Sequence, residues 1–295
     1  MKKLAASLRR IGLVANPEKA ARCAALVRRA AKVLTAQGRA ILCDPGTAAM
    51  VQGDLPAATS LDHLARHSDL LLVFGGDGTM LKVARDIAGL PVPLLGINAG
   101  HLGFLTAVQA DHLTRDLKKL PAGRFLIEQR ALLEGTIQRA GESIRQTALN
   151  DFVISRGSAS RLIELEVQVN GELLTRYRCD GFIASSPTGS TAYSLAAGGA
   201  IVSPDAEVLV LTPICPHTLS IRPVVVNLDS TVQVTLLSHR LVASISADGQ
   251  ETMNLTQGDT VTIRRSERAL RLLRLEGTSF FSTLRQKFAW NGSNE

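Results

Sequence analysis

The residues of this 295-residue chain whose types and spacing most clearly suit chemistry are Gly75-Gly76-Asp77-Gly78-Thr79. The unbroken apolar run Leu70-Leu71-Leu72-Val73-Phe74 delivers the chain to them, and a helical pattern follows. Backbone N–H groups and a helix N-terminus therefore converge on one spot, which makes an anion site. The turn has neither the Lys-Ser or Lys-Thr of a Walker loop nor the spacing of the Gly-x-Gly-x-x-Gly dinucleotide fingerprint. Asp77 is its informative residue. A carboxylate among phosphates is repelled unless it holds a magnesium ion, accepts a proton, or both, and either role serves phosphoryl transfer. The plain alternative is a strand-to-helix turn in which the glycines supply positive φ and Asp77 caps the helix. Glycine on both sides of the acid, at the carboxyl end of a buried strand where open α/β sheets place ligands, favours function.

Three further clusters have polar groups in suggestive order. Leu149-Asn150-Asp151 puts two polar side chains at the mouth of an expected strand. There Asn can donate and accept, while Asp can accept from ribose hydroxyls or an exocyclic amine; an Asx turn is the ordinary alternative. The stretch from Arg178 to Ser194 packs an acid, a strand and the hydroxyl-rich turn Ser185-Ser186-Pro187-Thr188-Gly189-Ser190-Thr191 into one segment. Short hydroxyl side chains beside glycine let a backbone approach a sugar or phosphate closely, although an ordinary capping turn has the same composition. Ser246-Ala247-Asp248-Gly249-Gln250 reads as a hairpin turn, because Asp-Gly favours type I′ geometry.

The elements that must position these residues follow from periodicity. Residues 11–15 read as a buried strand stopped at Asn16-Pro17, 20–37 as a helix, 40–43 as a strand, 61–67 as a helix, 69–74 as a strand, 80–88 as a helix and 92–97 as a strand. Strands alternating with helices predict a mainly parallel, helix-covered sheet over about the first 120 residues. After Pro121-Ala122-Gly123 the pattern becomes β-rich, with strands at 126–139, 147–156, 163–170 and 172–178 and more between 224 and 274. One helix interrupts near 192–198, and a last one is expected over 279–288. The length exceeds the range in which one core keeps growing. We expect an α/β nucleotide-binding domain over 1–122, a β-rich domain over 123–276, and a tail over 277–295 that packs back on the first.

Composition narrows the partners. A formal net charge of +7 suits anionic ligands but equally an Arg-rich surface. Aromatics are 4% of residues and the arginines are dispersed, which argues against a nucleic-acid partner. Cys23, Cys43, Cys179 and Cys215 lie far apart with no Cys-x-x-Cys pair, so neither a zinc site nor a disulfide framework is indicated and a reducing compartment fits best. Met1-Lys2-Lys3 could open a signal peptide, but the apolar run at 11–15 is too short. No run approaches the roughly 18 apolar residues of a membrane span. A soluble, cytoplasmic protein without a membrane partner is expected.

The Gly-Gly-Asp-Gly-Thr string after a hydrophobic strand resembles the signature shared by NAD kinases, diacylglycerol and sphingosine kinases and, with variation, phosphofructokinases. Leu95-Gly96-Ile97-Asn98-Ala99-Gly100-His101-Leu102-Gly103-Phe104-Leu105 narrows this, being similar to the NAD kinase pattern LGINxGxLGFL. The segment from Asp180 to Tyr193 resembles that family's DGxIxSTPTGSTAY, with Ser186 where Thr is usual. Asp248-Gly249-Gln250 looks like its DGQ element, and the stretch from Pro213 to Pro223 like its TPICPHTLSxRP, to which no catalytic role is assigned. The resemblance covers roughly residues 70–280.

The resemblance implies an α/β N-terminal domain with a Rossmann-like, mainly parallel sheet, joined to an all-β C-terminal domain, with the active site in the cleft between them. It implies transfer of the γ-phosphate of ATP to the 2′-hydroxyl of the adenosine ribose of NAD, with Mg2+ or another divalent metal, and a homodimer or homotetramer. Asp77 would act as general base beside Gly75, Gly76, Gly78 and Thr79. Asn150, Asp151, Asp180, Thr191, Ala192, Tyr193, Ser194 and Gln250 would hold the dinucleotide. Arg161 and Arg178 align with positions that contact it in bacterial relatives, where arginine at the second position goes with a preference for NAD over NADH; surface salt bridges are the alternative for both. His101 and His217 are expected to make structural hydrogen bonds. No metal ligand is assigned. A lipid or sugar kinase sharing only the glycine-rich turn, and a noncatalytic NAD(P) sensor, are the competing readings.

Overall fold

The structure, a computed structural model, describes residues 8–100, 102–139, 142–157, 161–218, 220–239 and 242–290. The chain divides into two compact units, Met1–Gln129 with Leu270–Glu295, and Arg130–Ala269.

The first unit opens with β1 (Arg10–Ala15), α1 (Ala20–Thr35), β2 (Ala40–Cys43), α2 (Pro45–Met50), α3 (Leu61–His67), β3 (Leu70–Gly75), α4 (Asp77–Asp86), β4 (Leu94–Asn98), β5 (Thr106–Gln109) and α5 (Leu113–Leu117). Every residue of β3 and β4 is buried, as strands covered on both faces must be. In α1, Cys23, Leu26, Val27, Ala30, Ala31 and Leu34 recur at three- and four-residue spacing and form its buried face. The strand order is β4–β3–β1–β2, all parallel, with β5 parallel to β4. The pattern did not foretell α2, yet its start follows ordinary rules. Pro45 stands at the first helical position and the Asp44 carboxylate accepts from Gly46 N at 3.0 Å.

The second unit is antiparallel. Its strands are the later part of β6 (Phe125–Arg139), β7 (Glu142–Ala148), β8 (Asp151–Ser155), β9 (Ile163–Val169), β10 (Glu172–Cys179), β11 (Gly181–Ser185), and, after the four-residue α6 (Tyr193–Ala196), β12 (Val208–Ile214), β13 (Val224–Asn227), β14 (Val232–Leu236), β15 (Ala243–Ala247), β16 (Glu251–Leu255) and β17 (Thr260–Leu275). The order β13–β12–β11–β8–β15–β16 forms one sheet, and β10–β9–β14–β17 lie side by side in another. Alternate residues of both feed a single core, among them Ile163, Leu165, Val232 and Val261 from the one and Phe152, Phe182, Leu211 and Ile245 from the other.

Two expectations need correction here. The strand predicted over 147–156 is two strands, β7 and β8, broken at Leu149-Asn150 by hydrogen bonds described below. The helix predicted over 192–198 is a 3₁₀ turn, Thr188–Thr191, followed by the short α6, which Gly198 closes with φ of 90°.

β17 carries the chain from the second unit back into the first, where Leu272 pairs with Leu94 of β4. The closing helix α7 (Phe280–Phe288) starts at Ser279, whose hydroxyl accepts from Ser282 N in a capping box, and Leu284 is its buried anchor. Among the described residues no helix is long and apolar enough to cross a membrane.

Leu72 is fully buried in the middle of β3. Leu72→Ala is expected to lower stability by about 2–5 kcal/mol, read as a shifted urea midpoint with an unchanged slope.

Candidate active site

In the first unit the chain leaves β1 for β2 on one side and returns across β1 to β3 on the other, so the order reverses between β1 and β3. The carboxyl ends of those two strands form the topological switch point at which open α/β sheets bind ligands. The ends are Ala15-Asn16 and Gly75-Gly76, linked by a hydrogen bond from Asn16 N to Phe74 O at 2.9 Å. All five residues of the glycine-rich turn therefore sit at this point, at the head of α4.

The turn is not the simple cap that composition allows. Among its residues none takes positive φ, and the N-cap of α4 is Gly76, not Asp77. Asp77 is the first helical residue, and its carboxylate reaches the loop after β4. Oδ2 accepts from Phe104 N at 2.8 Å and Oδ1 from Leu105 N at 3.0 Å. Gly103 makes this possible, because a Cβ there would lie 2.5 Å from the Asp77 carboxyl carbon. Thr79 packs its side chain against Gly75. In the sequence Gly103, Phe104 and Leu105 stand only as part of a family string; their contact with Asp77 leaves no local signal, since it joins residues 26, 27 and 28 positions apart. Lys19, whose ammonium lies beside Gly100 at the same end of the sheet, leaves no signal either. A single lysine after Asn-Pro-Glu reads as surface. His101 lies outside the described residues.

The second unit has its own constellation at the ends of β8 and β11. The chain bends at Leu149-Asn150 because Asp248 takes its amides: Asp248 accepts from Leu149 N at 2.9 Å, Asn150 N at 2.7 Å and Asp151 N at 3.3 Å. The carbonyls on the same bend are met from the other side. Ser186 Oγ donates to Leu149 O at 2.6 Å, and Ser186 N donates to Asn150 O at 2.8 Å. The Ser186 hydroxyl thus anchors the bend. Gly189 rests on the bend so closely that a Cβ would stand 2.5 Å from the Asn150 carbonyl carbon. Asp248 and Gly249 both have positive φ, 53° and 65°, as a type I′ turn requires. The sequence showed that turn but not that its carboxylate holds the Asn150-Asp151 backbone.

Asp151 is 4% exposed. Burial pushes its carboxyl up to about 7, and the neighbouring Asp248 carboxylate adds to the rise. Gln250 leaves the same turn with its side chain exposed and its backbone N–H on Ala247 O at 3.1 Å. Beyond Gly189, Thr191 and Ala192 are half-buried and Tyr193 is exposed. Ser194 is fully buried, its hydroxyl 3.0 Å from that of Thr212.

The remaining residues singled out in the sequence lie elsewhere in this unit. Ser185 of β11 pairs with Asp151, whereas Gly181 pairs with Ser155, so Asp180 is at the opposite end of that strand. Five residues of strand separate them by ~17 Å. Asp180 forms an ion pair with Arg156 at 2.6 Å, and Arg178 with Glu164 at 3.3 Å. Arg161 is exposed, two residues before Ile163, which pairs with Cys179. The backbone of His217 donates to Arg178 O at 2.9 Å. The structure therefore gathers Asn150, Asp151, Gln250 and the 191–194 segment at one end, and Arg161, Arg178 and Asp180 at the other.

Among the described residues no three His, Cys, Asp or Glu side chains gather so as to hold a metal ion. Both oxygens of Asp77 already accept amide hydrogens. Each of these oxygens keeps a second lone pair for a proton or a cation.

The Asp151 carboxyl supplies a test of this geometry. In the unfolded chain it titrates near 3.9, so between about pH 4 and pH 7 the unfolded chain has lost a proton that the folded chain keeps. Its contribution to stability therefore falls as pH rises through that window and is level above it. Asp151→Asn should flatten the decline, as measured by urea unfolding at several pH values; an unchanged slope would contradict the burial argument.

Comparison with known proteins agrees with these features. Residues 11–125 match the ATP-NAD kinase N-terminal domain and residues 149–275 the ATP-NAD kinase C-terminal domain. The chain is 43% identical over 268 residues to the NAD kinase of Thiobacillus denitrificans, covering 90% of this chain and 92% of that one. It is 46% identical over 225 residues to the NAD kinase of Moorella thermoacetica, covering 76% and 72%. Among solved structures it resembles yeast NADH kinase complexed with NADH, with a TM-score of 0.86 at 25% identity over 98% of this chain and 89% of that one. It also resembles an NAD kinase from Archaeoglobus fulgidus in complex with ATP, with a TM-score of 0.75 at 25% identity over 95% and 98%. With both domains matched in sequence order and a curated relative aligned along nearly its whole length, the chain belongs to the NAD kinase family.

Proposed function

We propose that this protein transfers the γ-phosphoryl group of ATP to the 2′-hydroxyl of the adenosine ribose of NAD, with Asp77 as general base. Family membership supports the reaction. The observation that carries the assignment of the base is the position of Asp77, at the switch point with both carboxylate oxygens aligned by backbone amides. A carboxylate so fixed can take the ribose proton without first having to be oriented.

In this scheme one Asp77 oxygen accepts the 2′-hydroxyl proton as the ribose oxygen attacks the γ-phosphorus. The bond from that phosphorus to the β,γ-bridging oxygen breaks, and ADP leaves with the electron pair. The N-terminus of α4 and the ammonium of Lys19 offset negative charge on the phosphates. Asn150, Asp151, Gln250 and the 191–194 segment hold the dinucleotide, and the Asp248 clamp sets the direction of the first two. Mg2+ or another divalent cation, entering with the triphosphate, would neutralise charge on its oxygens. Arg161, Arg178 and Asp180, at the opposite end of the strands, are assigned as further contacts to the dinucleotide, away from the reacting hydroxyl. A homodimer or homotetramer in the cytoplasm completes the reading; the free cysteines Cys23, Cys43, Cys179 and Cys215 support a reducing compartment.

The test is NADP formation from NAD, ATP and magnesium by the purified protein, read with an NADP-specific dehydrogenase. Asp77→Asn should lower kcat by about 10²- to 10⁴-fold while NAD still binds. Wild-type turnover in that variant would remove Asp77 as base. NAD binding without ATP consumption in the unmutated protein would favour a sensor, and lipid phosphorylation without NADP would favour the broader kinase superfamily.

A further inference from the structure

Among the described residues, the aromatic and cationic groups against the Phe104 ring all come from one helix. Phe280 lies 6.0 Å away between ring centroids and Phe288 6.4 Å away, and the Lys287 ammonium stands 5.0 Å from the ring centre. All three belong to α7. The backbone N–H of the same Phe104 is one of the two that hold the Asp77 carboxylate. One residue thus joins the last helix of the chain to the acid at the switch point.

α7 is tied down at its start and capped at its end. Before it, Glu276 N donates to Arg124 O at 3.0 Å, Lys119 Nζ donates to Glu276 O at 3.2 Å, and the Arg124 and Glu276 side chains form an ion pair. Its first turn carries the Ser279–Ser282 capping box, and Ala289 closes it in the left-handed region at φ of 52°. A helix of nine residues is marginal in isolation, so these ties and its packing are what keep it formed. Phe280 and Phe288 bear on Phe104, Phe288 being itself 37% exposed with the Trp290 ring 5.4 Å away, while Phe281 is exposed.

We propose that Phe280, Lys287 and Phe288 are positioning residues for phosphoryl transfer, acting through Phe104 on Asp77. The three side chains fix the Phe104 ring, the ring fixes the direction of the Phe104 and Leu105 N–H groups, and those groups fix the carboxylate. A shift of about 1 Å at a reacting group costs on the order of 10²-fold in rate, so loosening this chain of contacts is enough to be read in kcat. The inference rests on the assignment of Asp77 as base.

The experiment is a double-mutant cycle on the full-length protein, combining Phe280→Ala/Phe288→Ala with Asp77→Asn and following single-turnover transfer from γ-labelled ATP to NAD, with thermal unfolding as the check on folding. In the wild-type background the paired substitution should lower the transfer rate roughly 10- to 100-fold, with KM for NAD changed less than about threefold. In the Asp77→Asn background it should lower the residual rate less than about twofold, because the group it acts through is gone. Phe288→Ala alone, at the exposed end of the helix with the Leu284 anchor intact, should give a smaller loss at an unchanged Tm, and Phe288→Leu should restore most of it. Equal losses in both backgrounds, or no loss in any folded α7 variant, would overturn the inference and leave the base assignment standing. Asp77→Asn at the wild-type rate would overturn both.

Discussion

The hydrogen bonds from Phe104 N and Leu105 N to the two oxygens of Asp77 are the constraint on which the candidate site of the first unit depends. A carboxylate at the head of a helix is ordinarily spent on capping that helix. Here Gly76 takes the cap and leaves the acid for another task. Two amides from a different loop then fix the plane of the carboxylate, with Gly103 leaving the room it needs. The parallel order β4–β3–β1–β2 brings the parts together, since β3 delivers the turn, β4 delivers the loop, and the reversal between β1 and β3 sets the switch point beside them.

The second unit uses the same device on a different scale. Asp248 gives its carboxylate to three successive amides, and the Ser186 hydroxyl and amide take the carbonyls between them. The result is a bend where the hydrophobic pattern alone would run straight. Hydrogen bonds between a charged acceptor and a backbone donor are worth more than neutral ones, so a few of them override strand propensity over two residues. The burial that makes the bend rigid also lifts the Asp151 carboxyl toward neutrality.

Much of this was legible in the sequence, and what was not has a common cause. The parallel half was readable because its strands are buried on both faces and so appear as continuous apolar runs such as Leu70-Leu71-Leu72-Val73-Phe74, and because α1 repeats its apolar positions at helical spacing. The site turns announced themselves through glycine beside acid. The break at Leu149-Asn150 could not be read, because its cause sits at Asp248, nearly a hundred residues on, in what looks locally like a hairpin turn and nothing more. The Asp77 contact was hidden for the same reason. α2 was a different kind of miss: Asp44-Pro45 is a recognisable helix start, but the helix is too short to show periodicity. The split between Asp151 and Asp180 follows from strand register, which composition does not contain.

The measurement that bears most directly on the central claim is the kcat of Gly103→Ala, compared with its KM for NAD and its thermal unfolding. The added methyl occupies space that the Asp77 carboxylate now fills, so the carboxylate must turn away from its two amides while every candidate dinucleotide contact in the second unit is untouched. If alignment of Asp77 governs phosphoryl transfer, a folded Gly103→Ala protein loses at least about tenfold in kcat, with KM for NAD nearly unchanged. A folded variant that turns over at the wild-type rate would contradict the account.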